Sequence, residues 1–142
     1  WCVPCRKEMP TLDRLQAALG GADFEVVALS IDRRMEAVRK FFAEVGIKTL
    51  AMYIDSSAKA TRELGAVGLP TSLLINREGR EIGRLIGPAE WDAPATVEFV
   101  RCIISTTRRA TSNREPAPDA TSPCGERRLH LPETGEGNPR QQ

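Results

Sequence analysis

Trp1-Cys2-Val3-Pro4-Cys5-Arg6-Lys7-Glu8-Met9-Pro10 is the stretch whose reading decides the fold. Two cysteines separated by two residues can close a disulfide across the first turn of a helix or supply half of a metal site. Pro4 suits an opening helical turn, where a missing N–H costs nothing and φ is already close to helical. Cys2 then stands at the helix N-terminus. Unpaired N–H groups and the positive end of the macrodipole favour its thiolate there, so its pKa is expected below the free value of about 8.5. Cys2 is read as the attacking sulfur. Cys5, one turn further in, is read as the shielded resolving thiol that attacks a mixed disulfide already held on Cys2.

The helix continues beyond Pro10, which removes one backbone bond and is expected to kink the axis. Met9, Leu12, Leu15 and Leu19 recur at three- and four-residue steps before Gly20-Gly21 stop the helix. Glu8 lies three residues after Cys5 on the same helix. Its two readings are a group that accepts a proton as Cys5 becomes a thiolate, and a solvated glutamate favoured by the helix dipole. Arg6 and Lys7 form a solvated basic face. Trp1 is read as an apolar wall beside Cys2 or as part of a docking surface.

Trp-Cys-x-x-Cys with a proline eight residues after the first cysteine resembles the thioredoxin superfamily. Cys-x-Pro-Cys-x-x-Glu-x-Pro narrows the likeness to TlpA/ResA-like thiol-disulfide oxidoreductases, the TlpA type most closely. Phe24-Glu25-Val26-Val27-Ala28, Gly68-Leu69-Pro70-Thr71-Ser72 and Gly87-Pro88-Ala89-Glu90-Trp91 carry the same resemblance, which runs from Trp1 to about Ile104. It implies a thioredoxin-like α/β fold, a mixed sheet flanked by helices, with a cis Leu69–Pro70 peptide beside the redox cysteines. It also implies that Glu8 belongs to the active site, and that the Leu69 backbone, with Trp1, Pro70 and Thr71, receives an extended segment of a partner by strand addition. The activity implied is reduction of a disulfide-containing client, an apocytochrome c or a copper-centre assembly factor. A membrane electron donor would recharge the Cys2–Cys5 pair. The domain would be a monomer in the bacterial periplasm, tethered to the inner membrane and serving cytochrome c maturation or cytochrome oxidase biogenesis. No cofactor is implied.

Twenty basic and nineteen acidic side chains leave a net charge of +1 on 142 residues, so electrostatics indicates neither nucleic acid nor an anionic membrane surface as partner. No run of eighteen apolar residues marks a transmembrane helix. The sequence starts without methionine and reads as N-terminally incomplete, with any signal peptide or anchor expected before Trp1. The strand that would precede Trp1 at the sheet centre is also expected to be missing. Unsatisfied backbone groups cost about 1–3 kcal/mol each, so the polypeptide alone is expected to fold poorly.

Phe24 to Ile31 is nearly continuously apolar and predicts a strand buried on both faces. A helix after Asp32-Arg33-Arg34 presents Val38, Phe41, Phe42 and Val45 and stops at Gly46. Leu50 to Ile54 predicts a second strand, and Ser56-Ser57 are candidate caps for a helix ending at Gly65. Thr71–Ile75 and Glu81–Gly87 flank the turn signature Asn76-Arg77-Glu78-Gly79 and predict an antiparallel hairpin. A last helix, from Asp92-Ala93-Pro94, presents Val97, Val100 and Ile104, supported by Phe99 and Ile103. Alternating strands and helices argue for an α/β layer fold.

Residues 1–105 form the expected domain and residues 106–142 a disordered tail. The tail holds five of the ten prolines, no aromatic residue, and only Leu129 and Leu131 as large aliphatics. Leu131-Pro132-Glu133-Thr134-Gly135 matches a sortase pentapeptide, but no hydrophobic segment follows, so the match is read as coincidence or an appended tag. Cys102 is read as a small core hydrophobe. A Cys102–Cys124 bridge is conceivable but not expected.

Metal binding is the rival reading of Cys2 and Cys5. A closed zinc site needs two further ligands, whereas the single histidine, His130, lies in the tail and no second C-x-x-C exists. The same absence argues against a Sco-type copper chaperone. Within redox chemistry the alternative is an oxidant that introduces disulfides, and outside it a metal or partner-binding module of the same fold.

Overall fold

The computed structural model describes residues 1–113 and Cys124. Helix α1 spans Val3–Leu19, strand β1 Leu29–Ser30, α2 Met35–Val45, β2 Tyr53–Ile54, α3 Lys59–Glu63, β3 Thr71–Ile75, β4 Glu81–Ile86 and α4 Pro94–Asn113. The order is the expected alternation of helix and strand. Among the described residues parallel and antiparallel pairings both occur, in two ladders: β1 pairs with β2 in parallel and β3 with β4 antiparallel.

The hairpin forms where the turn residues put it. Asn76 Oδ1 accepts the N–H groups of Glu78 and Arg80, and Gly79 takes the left-handed φ of 76° that closes the turn. Gly46 similarly ends α2 at a left-handed φ of 72°.

The strand expected over Phe24–Ile31 is corrected in extent and burial. Only Leu29 and Ser30 have ladder partners, Tyr53 and Ile54, because β2 is itself two residues long. The segment is not buried on both faces. Val26 and Ala28 pack on the core, while Val27 and Leu29 on the alternate face are 58% and 40% exposed. Among the described residues β1 and β3 each pair on one side only, so each keeps one unpaired edge there.

The core centres on Val38, Phe42 and Leu50, with Met9, Leu12, Val26, Ala28, Met35, Phe41, Ile47 and Ile54 packed around them. Helix α1 lies against α2 and α4, with Leu15 and Val100 buried. A buried carboxylate fastens α1 to the loop entering β2: Asp13 accepts the N–H groups of Lys48, Thr49 and Leu50.

Helix α3 is capped differently from expectation. Asp55, not Ser56 or Ser57 alone, accepts from the Lys59 and Thr61 N–H groups, with the Ser57 hydroxyl assisting at Lys59. Its two oxygens reach two donors where a hydroxyl reaches one. Helix α4 runs to Asn113, past the boundary placed at residue 105. The hydroxyls of Ser105, Thr106 and Thr107 fold back onto the carbonyls of Arg101, Cys102 and Ile103, which lets these polar residues stay helical. The pentapeptide at 131–135 and His130 lie outside the described residues.

Candidate active site

Cys2 is the N-cap of α1, with extended backbone (φ −80°, ψ 92°), and its Sγ accepts the N–H of Cys5 at 3.3 Å. That contact puts sulfur where an N-cap oxygen usually stands. Cys2 and Cys5 are joined in a disulfide across the first turn, with Cα atoms 5.3 Å apart. No acidic residue lies in this turn, and Arg6 and Lys7 follow it. The turn is therefore electropositive through both its backbone and its side chains. Both cysteines are half-buried.

Arg6 is not a simple solvated charge. Its guanidinium lies 5.3 Å from the Phe41 ring centroid and pairs with Glu44 at 3.0 Å, tying the redox turn to α2. Trp1 is 83% exposed, a projecting ring rather than a wall packed beside Cys2.

Glu8 resolves its two readings against the solvated one. It is 4% exposed, and its Oε2 accepts the Ala89 N–H at 2.9 Å. Burial pushes its carboxyl up from the ordinary value, opposed by the Ala89 amide and by the nearby Trp91 indole. The indole N–H lies outside hydrogen-bond geometry and is the one buried side-chain polar atom without a partner among the described residues.

Leu69–Pro70 is a cis peptide, in agreement with the resemblance. Pro70 is buried, Leu69 is 39% exposed and Thr71 closes the loop by donating from Oγ1 to the Gly68 carbonyl at 2.6 Å. The cysteine pair has no direct hydrogen bond to Leu69, Pro70 or Thr71 among the described residues. The connection runs through the segment after β4, where Gly87 N–H donates to the Pro70 carbonyl at 2.9 Å and Ala89 reaches Glu8. Sequence reasoning quoted Gly87–Trp91 only as part of a resemblance; its backbone donors carry no signal in side-chain chemistry. Thr11, which accepts the Trp91 N–H at 3.1 Å, was missed because a lone helical threonine has no distinguishing pattern.

The structure corrects the reading of Cys102 as a free core thiol. Cys102 and Cys124 form a second disulfide, with Cα atoms 6.1 Å apart and Cys124 2% exposed. The tail composition gave no reason to expect residue 124 beside α4. Among the described residues no group of three or more His, Cys, Asp or Glu side chains could hold a metal, and no helix is long and apolar enough to cross a membrane.

A C-x-x-C disulfide at a helix N-terminus, a cis-proline loop and an α/β layer together define a thioredoxin-like protein. The Redoxin family profile matches residues 1–99, and the chain belongs to that family. It is 36% identical over 87 residues to the thiol-disulfide oxidoreductase ResA of Bacillus thuringiensis (strain Al Hakam), covering 61% of this chain and 50% of the relative. It is 33% identical over 89 residues to the thiol:disulfide interchange protein CycY of Rhizobium leguminosarum bv. viciae, covering 63% of this chain and 46% of the relative. The chain thus spans about half the length of the curated relatives it matches. Among solved structures it is similar to a thiol:disulfide interchange protein DsbE from Chlorobium tepidum (TM-score 0.58, 32% identity, 75% of this chain and 72% of that one). StoA from Bacillus subtilis, at 23% identity and TM-score 0.57 over 71% of this chain and 72% of that one, shares the fold.

Proposed function

We propose that this protein is a thiol-disulfide oxidoreductase that reduces disulfides of client proteins through Cys2 and Cys5. The observation that carries the reading is the Cys2–Cys5 disulfide closed across the first turn of α1 with Cys2 at the N-cap. In the reduced protein the Cys2 thiolate attacks a client disulfide, forming a mixed disulfide and releasing one client thiolate. Cys5 then loses its proton and attacks Cys2 Sγ, releasing the second client thiolate and leaving Cys2–Cys5 oxidised. Two electrons pass to the client. Glu8, one turn on from Cys5 and made more basic than an ordinary carboxylate by its burial, accepts that proton. Leu69, Pro70 and Thr71 receive an extended segment of the client, and exposed Trp1 flanks it.

The names of the similar proteins support a place among thiol-disulfide exchange proteins. The finer reading, from the family resemblance, is a monomeric domain on the periplasmic side, tethered to the inner membrane and re-reduced by a membrane electron donor. Its client is an apocytochrome c or a copper-centre assembly factor. Cys5→Ser is the test: it should accumulate a client in mixed disulfide with Cys2, released by dithiothreitol. Activity that persists in Cys2→Ser would overturn the reading.

A further inference from the structure

Three side chains in a row on α1 hold the same short segment. Glu8 accepts from Ala89 N–H at 2.9 Å, Thr11 Oγ1 accepts from Trp91 N–H at 3.1 Å, and Arg14 Nε donates to Asp92 Oδ2 at 2.6 Å. Residues three apart lie along one helix face, so these contacts lie side by side. At its other end the segment is bonded to the docking loop, through Gly87 N–H and the Pro70 carbonyl at 2.9 Å.

The intervening backbone is short. Gly87, at φ 106°, turns the chain in a conformation that side-chain-bearing residues rarely adopt, and Pro88 fixes the next φ. With one attachment at residue 87 and three between 89 and 92, only Pro88 lies between the Pro70 bond and the α1 contacts.

We propose that Gly87–Asp92 is a strap that sets the client-docking loop Leu69–Thr71 relative to the redox turn, and that Thr11 and Arg14 are positioning residues for client recognition. Both act at a distance: at about 1.5 Å of helix per residue, Thr11 lies about 9 Å along the axis from Cys5 and Arg14 about 14 Å. The proposal rests on the reading that a client docked at Pro70 is attacked by Cys2.

Two variants test it. Thr11→Val removes the acceptor for Trp91 N–H while leaving Glu8 and both cysteines in place. Arg14→Gln cuts the exposed end of the strap and decides the matter if the buried Thr11 substitution prevents folding. The first readout, backbone amide exchange at Gly87, needs no redox activity. Exchange at Gly87 should rise about fivefold, the equivalent of one lost hydrogen bond, while the Leu73 and Leu74 amides hold. Faster exchange confined to Trp91, or no change at all, overturns the strap.

The second readout compares an extended peptide disulfide with oxidised glutathione, which has no strand to dock. The peptide-to-glutathione ratio of kcat/KM should fall about fivefold, carried by the peptide KM. An unchanged ratio with accelerated Gly87 exchange overturns the positioning role. If Cys2→Ser stays active, the oxidoreductase reading fails instead, and the strap is judged on exchange alone.

Discussion

Asp13 on α1 and Thr49 ahead of β2 are joined three times. The Thr49 N–H donates to Asp13 Oδ1 at 2.7 Å, and the Thr49 hydroxyl lies 2.8 Å from both Oδ1 and the Asp13 carbonyl. With Lys48 and Leu50 N–H groups on the same carboxylate, this is the polar fastening between the redox helix and the strand loop.

Burial alone would push the Asp13 carboxyl up, but donation from Thr49, Leu50 and Lys48 outweighs it and holds the group below the ordinary carboxylate range. The folded form thus favours the anion. Its stabilisation is present above the unfolded pKa of about 3.9 and is lost as pH falls through the lower folded value. Asp13→Asn should cost about 1–3 kcal/mol at pH 7 by urea unfolding. The gap between variant and wild type should narrow as pH falls below the unfolded value of about 3.9 and through the lower folded one; a gap that stays constant would mean the charge is not what matters.

Glu8 has the opposite sign. Its folded carboxyl is raised by burial, so the fold binds its proton more tightly than the unfolded chain does. The stability tied to that proton is present below the unfolded value of about 4.3 and declines as pH rises through the folded one. Glu8→Gln should flatten stability across that window and abolish the corresponding limb of the pH–rate profile for client reduction. Parallel profiles for the two proteins would remove Glu8 from the proton path.

Cys124→Ser should leave the Cys2–Cys5 redox couple intact and lower stability. Closing a loop over a sequence separation of 22 corresponds to about 3 kcal/mol of chain entropy. Denaturant unfolding of the variant beside the wild type measures it, and equal midpoints would assign the bridge no structural role.

Phe42→Ala should remove about 3–5 kcal/mol by opening a cavity among Val38, Leu50 and their neighbours. Domains are typically stable by only about 5–15 kcal/mol, so the expected far-ultraviolet signal is a broad, early thermal transition. Retention of the wild-type midpoint would place the stabilising core elsewhere.

What the sequence disclosed was the local part of the structure. The first turn of α1 around Pro4, the Gly46 stop and the Asn76–Gly79 turn are set by neighbours a few residues away, and they stand where their residues predict. The redox pair was legible for the same reason. β1 was overread because apolar composition does not reveal which face meets a partner: Val26 and Val27 are the same residue, one packed and one 58% exposed. The contacts of Asp13 and Thr11 were invisible, and the Cys102–Cys124 bridge was conceivable but not expected, because each meets a group distant in the chain, and a lone aspartate, threonine or cysteine does not name its partner.

The second bridge also bears on how the protein is made. Structural disulfides persist in oxidising surroundings and are rare where glutathione keeps thiols reduced. Material from a reducing cytoplasm and material exported before folding are accordingly two covalent species with one sequence, one crosslinked from α4 to Cys124 and one not. A thiol count on the reduced and unfolded chain finds four sulfhydryls, so a potential fitted to a single couple mixes a catalytic pair with an architectural one unless Cys102 and Cys124 are first removed or blocked.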